Sequence, residues 1–233
     1  MTFMFNNIAL RKPAWQQYMF PSSSWGADKA VDGKYSIRTA AGEQCTISDN
    51  NKRTATWWVD VGGVLSIHHI TIYFRTDDLL WDENNGHMER VLGFSVYISN
   101  TTYKDGGYLC FKDTNYTKAT VPNTTTIECI NHGQYVIYYN ERLPGVSYPI
   151  GYSQYAYNEI CELEVYGCPS TGVYGENCDL PCPQKCQERR CDILDGTCFG
   201  CVAGYKGSRC EEQCDNNRYG LESKEVDLNR PRL

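Results

Sequence analysis

The strongest constraint on this chain is the placement of its 13 cysteines among 233 residues. Four lie far apart, at Cys45, Cys110, Cys129 and Cys161, and the rest crowd between Cys168 and Cys214. Scattered cysteines beside a dense cluster, with Asn-x-Thr sequons at Asn100, Asn115 and Asn123, point to an oxidising secretory compartment and an extracellular protein. The sequons are expected to be exposed glycosylation sites. A cytosolic zinc protein is the competing account, because Cys198-x-x-Cys201 has zinc-knuckle spacing. The neighbouring cysteines stand at irregular intervals, and no histidine follows His132 to complete a mixed site, which argues against it.

Hydrophobic residues make up 41% of the chain and aromatics 13%, too much for a disordered chain and enough for a core. The net charge of −6, with no Lys/Arg cluster, removes the electrostatic footprint of nucleic-acid binding. No apolar run approaches the ~18 residues a membrane span requires. The opening Met-Thr-Phe-Met-Phe-Asn-Asn has no basic region, hydrophobic stretch or small-residue cleavage site, so no signal peptide is recognised in this chain. The expectation is that a signal has been removed or that the start lies elsewhere.

From Ile8 to Tyr166 the pattern is strand after strand with turns between. Trp57 to Val61 leads through Gly62-Gly63 to Ile70-Thr71-Ile72-Tyr73-Phe74, where Ile70, Ile72 and Phe74 share one face at period two. Leu92, Phe94, Val96 and Ile98 repeat the pattern, and Tyr135–Tyr139 and Leu163–Tyr166 give further strands. With no helices alternating between them, these strands predict an all-β sandwich or barrel. In the last run, alternation aims Cys161, Leu163 and Val165 inward and turns Glu162 and Glu164 to the other side.

After Gly167 the character changes to Cys178-x3-Cys182-x3-Cys186-x4-Cys191-x6-Cys198-x2-Cys201-x8-Cys210-x3-Cys214. A segment of about 45 residues buries too little apolar surface to fold unaided, and cross-links are the usual remedy. The expected organisation is a β-sandwich over 1–167, a disulfide-rich module over 168–214 and a truncated or disordered tail over 215–233.

The first segment resembles the F-type lectin family (fucolectin, tachylectin-4 and pentraxin-related), whose fold is a discoidin-like jelly-roll β-sandwich. The resemblance rests on Asn7-Ile8-Ala9-Leu10-Arg11, Ala30-Val31-Asp32-Gly33, Trp57-Trp58-Val59-Asp60, Arg75-Thr76-Asp77 with Glu89-Arg90, and Cys161-Glu162-Leu163-Glu164-Val165. It implies disulfides Cys45–Cys161 and Cys110–Cys129. The second segment resembles the EGF-like repeats of multiple-EGF-domain scavenger receptors, through Tyr174-Gly175-x-x-Cys178 and Gly204-Tyr205-x-Gly207-x-x-Cys210. That resemblance implies Cys182–Cys191, Cys186–Cys198 and Cys201–Cys210, with Cys168–Cys178 closing a preceding half-module. Cys214 is left over and opens an interrupted repeat, so the chain is expected to be a fragment of something longer. Asp179-Leu180-Pro181 lacks the lead-in of calcium-binding EGF modules, and no calcium is expected there.

The lectin family also implies a Ca2+ ion tying the Asp-Gly loop to the last strand. Carried over by position, Asp32 and Glu162 supply carboxylates, while Lys29, Lys34, Gln44 and Cys161 contribute mainly carbonyls, in keeping with the six to eight hard oxygens that calcium takes. The alternative reads Asp32 as a turn residue and Glu162 as a solvated one. The family's sugar site implies two arginines, here Arg75 and Arg90, whose planar forks suit vicinal hydroxyls. Two departures stand out: Ile47 occupies the family's histidine position, and a cysteine-free loop from Asp77 to Met88 replaces an adjacent-cysteine disulfide. His87 and Trp81 of that loop are the expected replacements for the lost donor and apolar platform. The alternative leaves both as solvated loop residues and pairs the arginines with Asp77, Asp78 or Glu89. The His68-His69 pair is expected to be structural.

The function expected is extracellular carbohydrate binding by a calcium-stabilised lectin-like domain, in the ectodomain of a receptor. The partner is then a glycan, fucose-type in the family. The alternative is a cell-adhesion module that binds a cell-surface protein and whose sugar site has decayed; an oligomer is compatible with either. No nucleophile in a recognisable elbow and no free thiolate predict a non-enzyme.

Overall fold

The structure is a computed structural model that describes residues 5–21 and 23–214. The expectation for the 215–233 tail falls outside the described residues. The first segment is built from β1 (Asn6–Asn7), β2 (Ala14–Gln16), β3 (Thr46–Ile47), β4 (Thr54–Phe74), β5 (Ser95–Ser99), β6 (Tyr108–Lys112), β7 (Thr124–Glu141) and β8 (Glu159–Gly167). The longest α-helix among the described residues is a single turn, α1 (Met88–Val91). The fold is all-β.

The strands are ordered β1-β8-β4-β7-β5-β6, with β2 added beside β4 and β3 beside β8, all antiparallel. β4 and β7 run for 21 and 18 residues, against a usual ~5–6, and each serves both layers. The first half of β4 pairs with β2 and with the end of β7, which continues into β5 and β6; its second half pairs with β8 and the start of β7. The change of layer falls at a register shift between Asp60 and Leu65. There Gly62 has φ +96°, a conformation glycine adopts without steric cost, and its N–H is held by Asp60 Oδ1 at 2.8 Å. Gly62-Gly63 is therefore a bulge inside one continuous strand rather than a turn between two.

Between the layers lie Trp57, Val59, Ile70, Ile72, Phe74, Phe94, Val96, Ile98, Val136, Tyr138, Leu163 and Val165. Each such side chain contributes about 1.5–3 kcal/mol by leaving water. Trp57 is fully buried and satisfies its indole N–H on the Ala27 carbonyl at 3.1 Å. The inward face expected for Cys161 is modified by a second bulge. Tyr73 pairs with Glu162 and Phe74 with Ile160, so Ile160 takes the core position opposite Phe74. Cys161, the extra residue, is still fully buried and bonds Cys45.

Residues 168–214 carry two short ribbons, β9 (Val173–Tyr174) with β10 (Leu180–Pro181), and β11 (Tyr205–Lys206) with β12 (Glu212–Gln213). Their interior is cystine: Cys182, Cys186 and Cys191 are buried with Tyr174 and Cys198 against them. Phe5, Cys168 and Ile193, with Ile130 and Tyr166, pack this segment onto the sandwich. The disulfides are Cys45–Cys161, Cys110–Cys129, Cys168–Cys178, Cys182–Cys191, Cys186–Cys198 and Cys201–Cys210, with Cys214 unpaired. These are the partners that the two resemblances imply. Cys198 and Cys201 belong to different bridges. No helix of the described residues is long and apolar enough to cross a membrane.

Candidate functional site

Arg75 follows the last residue of β4 and continues its ladder, its N–H donating to the Glu159 carbonyl at 3.1 Å. The chain then turns sharply, because Asp77 and Asp78 both adopt left-handed backbone angles (φ 55° and 53°), which Asp tolerates better than most residues. The turn returns the Asp77 carboxylate to Arg75, where Nε and Nη2 meet its two oxygens at 2.7 and 3.0 Å. Buried Asn85 ties the rest of the loop down, donating to the carbonyls of Thr76 at 3.0 Å and Leu80 at 3.3 Å. In α1 the buried Met88 and Val91 anchor the turn on the core. His87 and Arg90, three residues apart, therefore share the other face.

Both point at Glu159, the first residue of β8. One of its oxygens accepts from Arg75 Nη1 at 3.0 Å and Arg90 Nη1 at 2.8 Å; the other lies 2.7 Å from His87 Nδ1. His87 Nε2 is 3.0 Å from Asp77 Oδ2, so the ring bridges two carboxylates. Arg90 also lies over the Tyr157 ring, 4.6 Å from its centroid. The Glu159 side chain is only 5% exposed. Burial opposes its ionisation, but the His87 hydrogen bond and the charges of Arg90, His87 and Arg75 outweigh that and hold it below the usual carboxylate range. Asp77 is lowered for the same kind of reason: burial acts against it, and hydrogen bonds from Arg75 and His87 prevail.

Arg75, Arg90 and His87 are thus brought together, and Trp81 is not among their partners. Its indole N–H is spent on the Val121 carbonyl at 2.7 Å, and its ring is packed against the core. It lines a separate hollow of about 350 Å³ with Asp82, Met88 and Lys118. The exposed apolar groups of this loop are Leu79 and Leu80. His87 is not a free donor, since both ring nitrogens face carboxylates and the side chain is 12% exposed. Arg75 pairs with Asp77, as the alternative reading held, and both arginines pair with Glu159 in place of Asp78 or Glu89. Sequence reading missed Glu159 because its role depends on β3–β8 pairing: Ile47 stands directly opposite it.

At the implied calcium position, the Gly33 N–H donates to both oxygens of Glu162 at 3.2 Å, which brings the Asp-Gly loop onto β8. Glu162 is fully buried and makes no ion pair among the described residues. Burial, reinforced by Asp32 and Glu164 and opposed by the Gly33 N–H, pushes its carboxyl up to about 8. A buried carboxylate without a countercharge fits a cation. Asp32 Oδ1 caps the Lys34 N–H at 2.9 Å, and Gln44 Oε1 accepts from the Ile37 N–H at 2.9 Å. No group of three or more His, Cys, Asp or Glu side chains among the described residues is arranged to hold a metal, so a cation here would draw most of its oxygens from main-chain carbonyls.

No family model matches the chain, and no curated protein matches it. Solved structures do. A histidine mutant of the lectin binding domain of lectinolysin, complexed with Lewis b, superposes with a TM-score of 0.52 at 19% identity, covering 71% of this chain and 99% of that one. A fucolectin from the serum of striped bass, Morone saxatilis, gives 0.51 at 21% identity, covering 70% of this chain and 47% of that one. The lectin domain of lectinolysin complexed with Lewis B antigen gives 0.51 at 20% identity over 70% of this chain and 96% of that one. The likeness is one of fold: this chain carries the β-sandwich of these lectin modules.

Proposed function

We propose that the protein is an extracellular, non-enzymatic lectin-like module that binds a glycan at the Arg75–Arg90 cluster. The observation that carries this reading is Arg90, whose side chain is 30% exposed and whose guanidinium is anchored through one nitrogen to buried Glu159 and lies over Tyr157. Its remaining N–H groups form a fixed fork for hydroxyls. Glu159 and Asp77 hold the arginines in place, His87 braces the two carboxylates, and the exposed Leu79 and Leu80 supply apolar surface along the same loop. The glycans named with the lectinolysin structures make fucosylated oligosaccharides the first probes.

Calcium belongs to the proposal as a structural ion, with Asp32 and Glu162 as its carboxylates and main-chain carbonyls of Lys29, Lys34, Gln44 and Cys161 beside them. The cystine-rich segment is proposed as an EGF-like stalk of a receptor ectodomain. Asn100, Asn115 and Asn123, all exposed, are proposed as N-glycan attachment sites.

A second reading, a protein-binding adhesion module with a decayed sugar site, is favoured by Ile47 and by the double engagement of His87. A glycan array with and without EDTA separates the two. Binding that Arg90→Ala reduces tenfold or more supports the lectin, since a charge-assisted hydrogen bond is worth about 1.5–3 kcal/mol. A blank array supports the adhesion module.

A further inference from the structure

Arg142, the residue after β7, is 2% exposed and makes no ion pair among the described residues. A guanidinium buried without a countercharge is tolerated only where its donors are met, so its partners show what the charge is there to hold. All three nitrogens donate. Nε reaches the Ser153 carbonyl at 2.9 Å, and Nη1 reaches Asn140 Oδ1 at 2.8 Å and the Glu141 carbonyl at 2.6 Å. Nη2 reaches the carbonyls of Leu92 at 2.8 Å and Glu89 at 3.4 Å, with Ser153 Oγ at 3.5 Å. The guanidinium carbon lies over the rings of Tyr148 and Tyr152, 5.4 and 4.8 Å from their centroids.

These partners belong to the two pieces of chain that build the arginine cluster. Glu89 lies in α1 and Leu92 just after it, and the last carbonyls of so short a helix have no partner within it. Arg142 takes two of them. The neighbouring Asn140 amide takes the Arg90 carbonyl at 2.9 Å, and the Ser153 N–H shares the Glu89 carbonyl at 3.0 Å. Ser153 closes the largely exposed loop 143–152 and stands just before Tyr157 and Glu159. Arg142 therefore ties the turn that carries Arg90 to the segment that carries the ring and the carboxylate on which the Arg90 head group rests.

Only a planar fork spans acceptors on three sides; a lysine presents its donors from a single point. Arg142 is bonded neither to the Arg90 head group nor to the Glu159 carboxylate, whose partners are Arg75, Arg90 and His87. Its hold on them runs through the main chain.

We propose that Arg142 is a positioning residue for the binding site: by fixing α1 against residues 152–157 it sets where the outer N–H groups of Arg90 point. That a glycan meets those donors rests on the proposed lectin function; the alignment of Arg90 with Glu159 does not.

The test uses the full chain and Arg142→Lys, which keeps the charge and loses the fork. Two measurements need no ligand: nuclear magnetic resonance of the arginine side chains, and titration of the Glu159 carboxyl by the same method. The parent is expected to show separate Nη signals for Arg90. In Arg142→Lys those signals should merge, and the Glu159 midpoint should rise toward its value in Arg90→Ala. Affinity for the glycan bound by the parent should fall about tenfold in Arg142→Lys, the effect of one hydrogen bond, and no further when Arg142→Lys is added to Arg90→Ala. Should Arg142→Lys fail to fold, Tyr152→Leu, which strips one ring from the guanidinium, is expected to show the same changes to a smaller degree. The proposal is overturned if a folded variant loses stability while its Arg90 signals and Glu159 titration match those of the parent, as they would if Arg142 only supported the fold. A blank glycan array beside the expected resonance changes would overturn the lectin function and support the positioning role.

Discussion

Ile47 and Glu159 face each other across the β3–β8 ladder, so a fully apolar side chain stands opposite the buried carboxylate on which the site converges. Ile47 offers Glu159 no hydrogen bond, and the inserted loop meets that need by bringing His87 Nδ1 to 2.7 Å. The loop and the strand pair therefore act as one electrostatic unit.

Removing that carboxylate should be costly. Glu159→Gln leaves Arg75, Arg90 and His87 facing a neutral amide at a buried position, and breaking a buried pair costs about 3 kcal/mol. Urea unfolding at pH 7 should show a loss of that order, and glycan binding should fall with it. A Glu159→Gln protein as stable as its parent would remove Glu159 from the centre of this account.

The same carboxylate sets an acid limit. Its folded pKa lies below the ordinary value of 4.5, so its contribution is complete above that value and is lost as pH falls through the folded one. Acid unfolding followed by circular dichroism should begin at higher pH in Glu159→Gln than in the parent.

His132 acts over a different window. It lies where the sandwich meets the cystine-rich segment, with Nε2 on the Ser66 hydroxyl at 2.8 Å, the Phe199 ring at 5.2 Å and a buried Nδ1 without a hydrogen bond. Burial, helped by Arg190 and opposed by Asp192, lowers its pKa from 6.5 to about 4. The unfolded chain binds the proton more readily, so this group destabilises the fold progressively as pH drops from 6.5 toward 4, by about 2 kcal/mol at pH 5. Comparing urea midpoints at pH 7 and pH 5, His132→Gln should lose less stability than the parent.

Calcium should act through Glu162. Millimolar CaCl2 is expected to raise the melting temperature and EDTA to reverse it; saturation at 100 times Kd is worth about 2.7 kcal/mol. Glu162→Gln should melt at the same temperature in either buffer, while Lys34→Ala should keep the response, because Lys34 is assigned only its carbonyl. An EDTA-insensitive parent removes the ion from the proposal.

Reduction should divide the chain. The cystine-rich segment has little interior beyond its cystines, each worth about 2–4 kcal/mol, whereas the sandwich has a large apolar core. Under mild reductant, hydrogen exchange should accelerate first over residues 173–213. Simultaneous exchange of both segments would mean that the Phe5–Cys168–Ile193 contact couples them.

The sequence by itself determined the class of the fold and showed where cysteine becomes dense. Alternation at Ile70, Ile72 and Phe74 is a local, period-two signal, and cysteine density is a compositional one; neither needs a partner strand to be read. What it did not contain was register. Whether Gly62-Gly63 bends one strand or separates two depends on what lies across the ladder, as does the Cys161 bulge that puts Ile160 in the core. Of the site, Arg75 and Arg90 were legible as donors in sequence, but Glu159 was not, since an acidic residue near a strand end is unremarkable until Ile47, His87 and both arginines surround it. The row of Trp15, Trp58, Ile137, Tyr97 and Leu109 draws one residue from each of five strands, and only the tertiary pairing, which fixes their common register through main-chain hydrogen bonds, sets those five side by side.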